Sequence, residues 1–103
     1  MQVIIENHFL IEVAKGTQTG KSPYPIEILK IFKKRVFQIQ QAKNSADLRQ
    51  IKSLHFEKLK GKEYEHKYSI RLNIAYRIIF RIDENKSDKI EIICIEEINN
   101  HYS

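Results

Sequence analysis

One cysteine, two prolines and three glycines are all that the 103 residues contain of the types that staple, stiffen or punctuate a chain. With Cys94 alone, no intramolecular disulfide can form, and its place inside the apolar run 90–95 makes it a small core residue of a chain suited to a reducing compartment. No apolar stretch is long enough to cross a bilayer. Val3-Ile4-Ile5 is interrupted at once by Glu6, Asn7 and His8, with no basic segment before it, so no membrane association is expected and the cytoplasm is the expected location. Low-complexity segments and internal repeats are absent. Neither the Cys-x-x-Cys nor the His-x-x-x-His spacing that gathers ligands on one element occurs, so no metal and no other cofactor is expected. Gly20-Lys21-Ser22 is a partial match to a phosphate-binding loop, but no strand feeds it and Pro23 follows. A nucleophile elbow for a Ser-His-Asp hydrolase is missing as well.

What is present is positive charge. A formal net charge of +5 and a pI near 9.4 favour a polyanionic or acidic partner by long-range attraction without identifying it. The length fits one compact domain, 1–103, with a modest core.

Hydrophobic periodicity divides this domain into a helical half and a strand half. Val3, Ile4 and Ile5 form a short first strand. Asn7 can then cap a brief helix that carries Phe9, Leu10 and Val13 on one side and ends at Gly16. Residues 16–23 are a loop within the domain. Pro25 opens a second helix, in which Ile28, Leu29, Phe32, Val36 and Ile39 recur at three- and four-residue steps. Its other face bears Lys30, Lys34, Gln38 and Gln41, while Ile31 and Phe37 fall outside the stripe and are the residues best placed to meet a partner or another element. Asn44 or Ser45 caps a further helix with Leu48, Ile51 and Leu54 on its apolar side, completing an antiparallel helix pair.

From residue 67 onward the period changes to two, and strands are expected at 67–73, 75–83 and 89–96 with a polar turn at 83–88. Short connections make them an antiparallel meander. The expected fold is therefore α+β in two layers, with the helices on one face of a small sheet that the N-terminal strand joins.

The same alternation sorts the strand side chains. Tyr68, Ile70, Leu72, Tyr76, Ile78, Phe80 and Ile82 take the core face, leaving Ser69, Arg71, Asn73, Arg77 and Arg81 on the other. With Lys60, and with Lys58 and Lys62 on the approaching loop, these arginines make a basic surface suited to phosphate, because each offers a planar fork of donors. The competing reading is a solvated face whose arginines pair with Glu91 and Glu96. His101 and Tyr102 lie just past the last strand. A histidine there can act as acid or base and a tyrosine can stack on a nucleobase, unless the segment is a frayed tail. His8, His55 and His66 are dispersed and have weaker claims.

Leu59-Lys60-Gly61, Tyr68-Ser69-Ile70-Arg71-Leu72-Asn73, Tyr76-Arg77-Ile78-Ile79-Phe80 and Ile90-Glu91-Ile92 resemble, in order and in gaps, the signature of the HigB branch of RelE-like toxins. The resemblance implies a compact RelE-like fold and a toxin of a type II toxin-antitoxin system. Its partner would be an antitoxin of helix-turn-helix type, covering either the basic face or the exposed side of the helix pair. It further implies metal-free cleavage of mRNA on the ribosome. Lys60, Arg71 and Arg77 would hold the scissile phosphate, and Lys58, Arg81 and Tyr102 would contact the substrate around it. Many HigB relatives end the last strand with Asp-Tyr-His, whereas a gapless continuation puts Cys94-Ile95-Glu96 at those positions here. His101 is therefore the expected proton-transfer residue, with Glu96 as its rival. A non-enzymatic toxin of the same fold, such as one directed at gyrase, and a small nucleic-acid-binding module are the alternatives.

Overall fold

The computed structural model describes residues 1–100. Strand β1, Gln2–Ile5, leads into helix α1, His8–Lys15, through an Asn7 cap whose side-chain oxygen accepts the Leu10 N–H at 3.1 Å. Gly16 ends α1 in the left-handed conformation (φ 76°), where its N–H reaches the Val13 carbonyl and the Thr17 N–H reaches that of Glu12. A residue with a Cβ would be strained there. Helix α2, Ile26–Gln41, buries Ile28, Leu29, Phe32, Val36 and Ile39, which is the stripe its periodicity predicts.

The next helix is shorter than its apolar spacing suggests. Helix α3, Ser45–Gln50, is capped by Asn44, whose side chain accepts the Asp47 N–H at 3.1 Å. It stops at Ile51, whose extended backbone hands over to a 3₁₀ turn, Lys52–Leu54. Leu48 and Leu54 both remain fully buried. The apolar repeat thus survives a break in the helix that carries it.

Five strands form the sheet, in the order β1-β5-β4-β3-β2. Strands β3 (Lys67–Arg71), β4 (Arg77–Glu84) and β5 (Glu91–Asn99) make the expected antiparallel meander, and β1 runs parallel to β5. A further strand that the sequence does not announce is β2, the two residues Glu57–Lys58, which pair antiparallel with Ser69 and Tyr68. So short a segment carries no period of its own. Strand β5 runs on to Asn99 through a bulge: Ile79 faces Glu97 while Phe80 faces Ile95, leaving Glu96 as the extra residue. The bulge shifts the core-facing positions from Ile93 and Ile95 to Ile98, and all three are buried.

The helices cover one sheet face, where Ile70, Leu72, Ile78, Phe80, Ile93 and Ile95 meet Leu10, Phe32 and Ile39. Truncating Phe32 or Phe80, each 0% exposed, to alanine would cost about 3–5 kcal/mol. Among the described residues no helix is long and apolar enough to cross a membrane.

Candidate active site

Register fixes which side chains share the face turned away from the helices. Arg71 and Arg77 are directly paired across β3 and β4 where the two strands meet their hairpin, so their side chains leave the sheet together. The hairpin itself is held by Asn73, whose side-chain oxygen accepts the N–H groups of Ala75 and Tyr76, both at 2.8 Å. Asn73 is thus a turn-former that fixes the two arginines relative to each other.

Arg77 is nearly buried. Its Nη1 donates to the Ser69 hydroxyl at 3.0 Å and, at the limit of hydrogen bonding, to the His55 carbonyl at 3.5 Å, while Nη2 stands 3.4 Å from a Glu57 carboxylate oxygen. The sequence placed Ser69 and Arg77 on an open face, but Ser69 is fully buried and Arg77 is 9% exposed. Strand β2 and the turn before it wall off this part of the sheet, so Arg77 is a rigid, partly neutralised cation. Arg71 is held more loosely, with Nη1 3.3 Å from His55 Nε2 and a buried Nε that has no partner. No carboxylate pairs with Arg71 among the described residues.

His55, in sequence one of several dispersed histidines, brings the two arginines an imidazole ring. It follows the 3₁₀ turn in the left-handed conformation (φ 45°, ψ 54°), and its ring is exposed. Histidine is among the residues that tolerate this backbone region. Since an arginine can only donate, the nitrogen facing Arg71 is an acceptor, which places the ring proton of a neutral imidazole on Nδ1. The signal that would have found His55 is β2: once Glu57 is set opposite Ser69, the residue two earlier falls beside Arg71.

The opposite end of the same ladder is arranged differently. Four residues along β4, about 13 Å away, Arg81 meets both carboxylate oxygens of Glu6, with Nη2 to Oε2 at 2.9 Å, and also Glu96 at 3.2 Å and Asp83 at 3.3 Å. These bonds, chiefly the one to Glu6, raise the pKa of Arg81 and hold the Glu6 carboxyl below its ordinary range. Lys67 bonds Glu96 at 2.7 Å and has its pKa raised by that bond. Arg81, expected to contact substrate, is occupied by carboxylates, and Glu96, the rival acid or base, is spent on Arg81 and Lys67. Cys94 is buried here rather than in the main core. Burial and the Asp83 carboxylate 3.4 Å away push its thiol up to about 11, so it is no nucleophile at neutral pH.

The lysines are also separated from the arginine pair. Lys58 is in register with Tyr68, which turns it toward the helix side of the sheet edge. The Leu59 N–H donates to the Lys67 carbonyl at 3.0 Å, so Lys60 lies exposed beyond the Lys67 end of β3, at least about 13 Å along the strand from Arg71. His101 and Tyr102 lie outside the described residues. No group of three or more His, Cys, Asp or Glu side chains that could hold a metal occurs among the described residues.

A family model described as a RelE-like toxin of the type II toxin-antitoxin system HigB matches residues 14–92. The chain belongs to this HigB-like toxin family. The toxin's fold agrees: the solved structure of a YoeB/ParE toxin from Agrobacterium tumefaciens superposes with a TM-score of 0.60 at 13% identity, covering 99% of this chain and 100% of that one. No curated protein matches the toxin. At that identity the structural likeness establishes the RelE/ParE fold and says nothing of individual site residues.

Proposed function

We propose that this toxin is a metal-free endoribonuclease that cuts mRNA on the ribosome, and that its reacting centre is the Arg71, Arg77 and His55 group. The observation that carries this reading is the coincidence of two register-paired arginines, one without a carboxylate partner, with a histidine nitrogen 3.3 Å from Arg71. The scissile phosphate sits against the Arg71 guanidinium, and Arg77 adds fixed positive charge behind it. Together they stabilise the extra negative charge of a pentacoordinate phosphorane. His55 Nε2, released from Arg71 as the phosphate takes over that guanidinium, accepts the proton of the ribose 2′-hydroxyl. The 2′-oxygen attacks its own phosphorus and the P–O5′ bond breaks, leaving a 2′,3′-cyclic phosphate and a 5′-hydroxyl. The leaving 5′-oxygen takes a proton from a second group, for which His101 is the candidate. Lys60, far along β3, suits a neighbouring phosphate of an extended strand better than the scissile one. The requirement for a 2′-hydroxyl makes the substrate RNA and not DNA.

The test is inducible expression with mapping of transcript ends. New mRNA ends should accumulate with the wild-type toxin and vanish for Arg71→Ala. Growth arrest with intact transcripts and broken DNA would instead identify a binding toxin directed at a DNA enzyme.

A further inference from the structure

Strand β1 ends at Ile5, opposite Ile95, while β5 runs on to Asn99, so the last residues of β5 have an open edge. A cleft of about 410 Å³ lies along that edge, with Asn7, Pro23, Tyr24, Tyr76, Glu97 and Asn99 in its lining. The Tyr24 hydroxyl donates to the Ile98 carbonyl at 3.3 Å, and the Tyr24 ring meets that of Tyr76 edge-on, with centroids 6.2 Å apart. Two half-buried rings thus give the cleft an aromatic wall. Glu97 brings its charge. An oxygen of this carboxylate accepts the Asn99 side-chain N–H at 2.8 Å, and Glu97 stands close enough to Tyr24 to add to the rise in pKa that burial imposes on that phenol. Of the three carboxylates on β5, Glu91 accepts the N–H and hydroxyl of Ser45, and Glu96 is bonded to Lys67 and Arg81. Among the described residues Glu97 has no cation within ion-pair distance.

We propose that this cleft is a guanine subsite for a nucleotide next to the scissile phosphate. The inference rests on the ribonuclease reading for its substrate and adds to it which base is selected. Glu97 and Asn99 pair with Ile79 and Arg77 across β4, so their side chains leave the sheet on the arginine face. Asn99 is two strand spacings from Arg71, about 10 Å, which a neighbouring nucleotide can bridge. An unpaired carboxylate so close to a phosphate site repels RNA unless donors meet its oxygens. A carboxylate can only accept, and guanine alone among the four RNA bases presents two adjacent donors, N1–H and N2–H, to its two oxygens. Adenine, cytosine and uracil each set an acceptor beside the donor on that edge, where it faces the negative charge. The tyrosine wall supplies a stacking surface for the same base.

The experiment titrates the isotope-labelled full toxin with the 5′-monophosphates of guanosine, adenosine, cytidine and uridine, reading amide chemical shifts. Guanosine monophosphate should bind roughly 10- to 100-fold more tightly than the other three and shift Asn7, Tyr24, Tyr76 and residues 97–99. The phosphate common to all four should move Arg71 and Arg77 alike. Glu97→Gln, at an exposed position, should melt like the wild type and lose the preference. In transcript-end mapping, the guanine enrichment beside the cuts should disappear with it. Equal affinity for the four nucleotides, shifts confined to residues outside the cleft, or an undiminished preference in Glu97→Gln would overturn the proposal. Binding is read without cleavage. A toxin that selects guanosine monophosphate in the cleft but cuts no RNA defeats the ribonuclease reading alone, and one that cuts RNA without guanine beside the cuts defeats the subsite alone.

Discussion

At the hairpin end of the β3–β4 ladder two arginines face one carboxylate, Glu57, whereas at the far end Arg81 and Lys67 face three, Glu6, Asp83 and Glu96. Both ends present guanidinium groups on the same sheet face, and an alternating sequence pattern cannot distinguish them. Their neighbours do. A phosphate approaching Arg71 meets a cation with unfilled donors and a histidine. One approaching Arg81 would have to displace a bidentate carboxylate and sit among two more negative charges. A cation is available to a ligand only when its own chain has left it unpaired.

The largest expected effect follows from this contrast. Arg71→Ala should lower the cleavage rate on ribosome-bound mRNA by about 10²–10³, or roughly 3–4 kcal/mol of transition-state stabilisation, with little change in urea midpoint. Arg77→Ala should reduce cleavage too, but it should also cost about 2–4 kcal/mol of stability. Its buried guanidinium ties Ser69 and the His55 carbonyl together, and removing it leaves groups unsatisfied. Equilibrium urea unfolding measures that cost. Arg77→Lys should not restore activity, because an ammonium cannot reproduce the forked contacts.

At the far end the pattern should invert. Arg81→Ala should cost about 1 kcal/mol of stability, a modest figure because the side chain is about one-third exposed. Cleavage should stay within threefold of wild type at a temperature where the variant is folded. Glu96→Gln should behave likewise, and a collapse of its activity would transfer proton transfer from His55 to the bulge. The smallest effect concerns pH. The Glu6 carboxyl is held down by Arg81, so its contribution is present above the unfolded value near 4.5 and is lost as pH falls through the lower folded value. Glu6→Gln should therefore flatten the acid limb of the stability profile, read as melting temperature between about pH 3 and 6, and leave the neutral region almost unchanged.

How much of this the sequence disclosed depended on the length of the element involved. The α2 stripe, the Asn7 and Gly16 ends of α1 and the three long strands each repeat a period or carry a capping residue, and all are present. That Arg71 and Arg77 share a sheet face followed from the same alternation, whereas their direct pairing comes from the register set at the Asn73 turn. Strand β2 did not follow, because two residues hold no period, and His55 was lost with it. The bulge at Glu96 was invisible for a related reason: it moves one residue across a ladder without changing composition. Ile31 and Phe37 were grouped as off-stripe residues, yet Ile31 packs against the core while Phe37 stays exposed. That outcome depends on how α2 seats against the rest of the fold, which no local window contains.

The assignment of chemistry to the hairpin end is tested most directly by single-turnover cleavage of ribosome-bound mRNA with His55→Asn, since asparagine tolerates the left-handed backbone of this position and cannot exchange a proton. The account predicts a fall of about 10² or more in a protein that binds mRNA and melts like the wild type. A rate within threefold of wild type would contradict it.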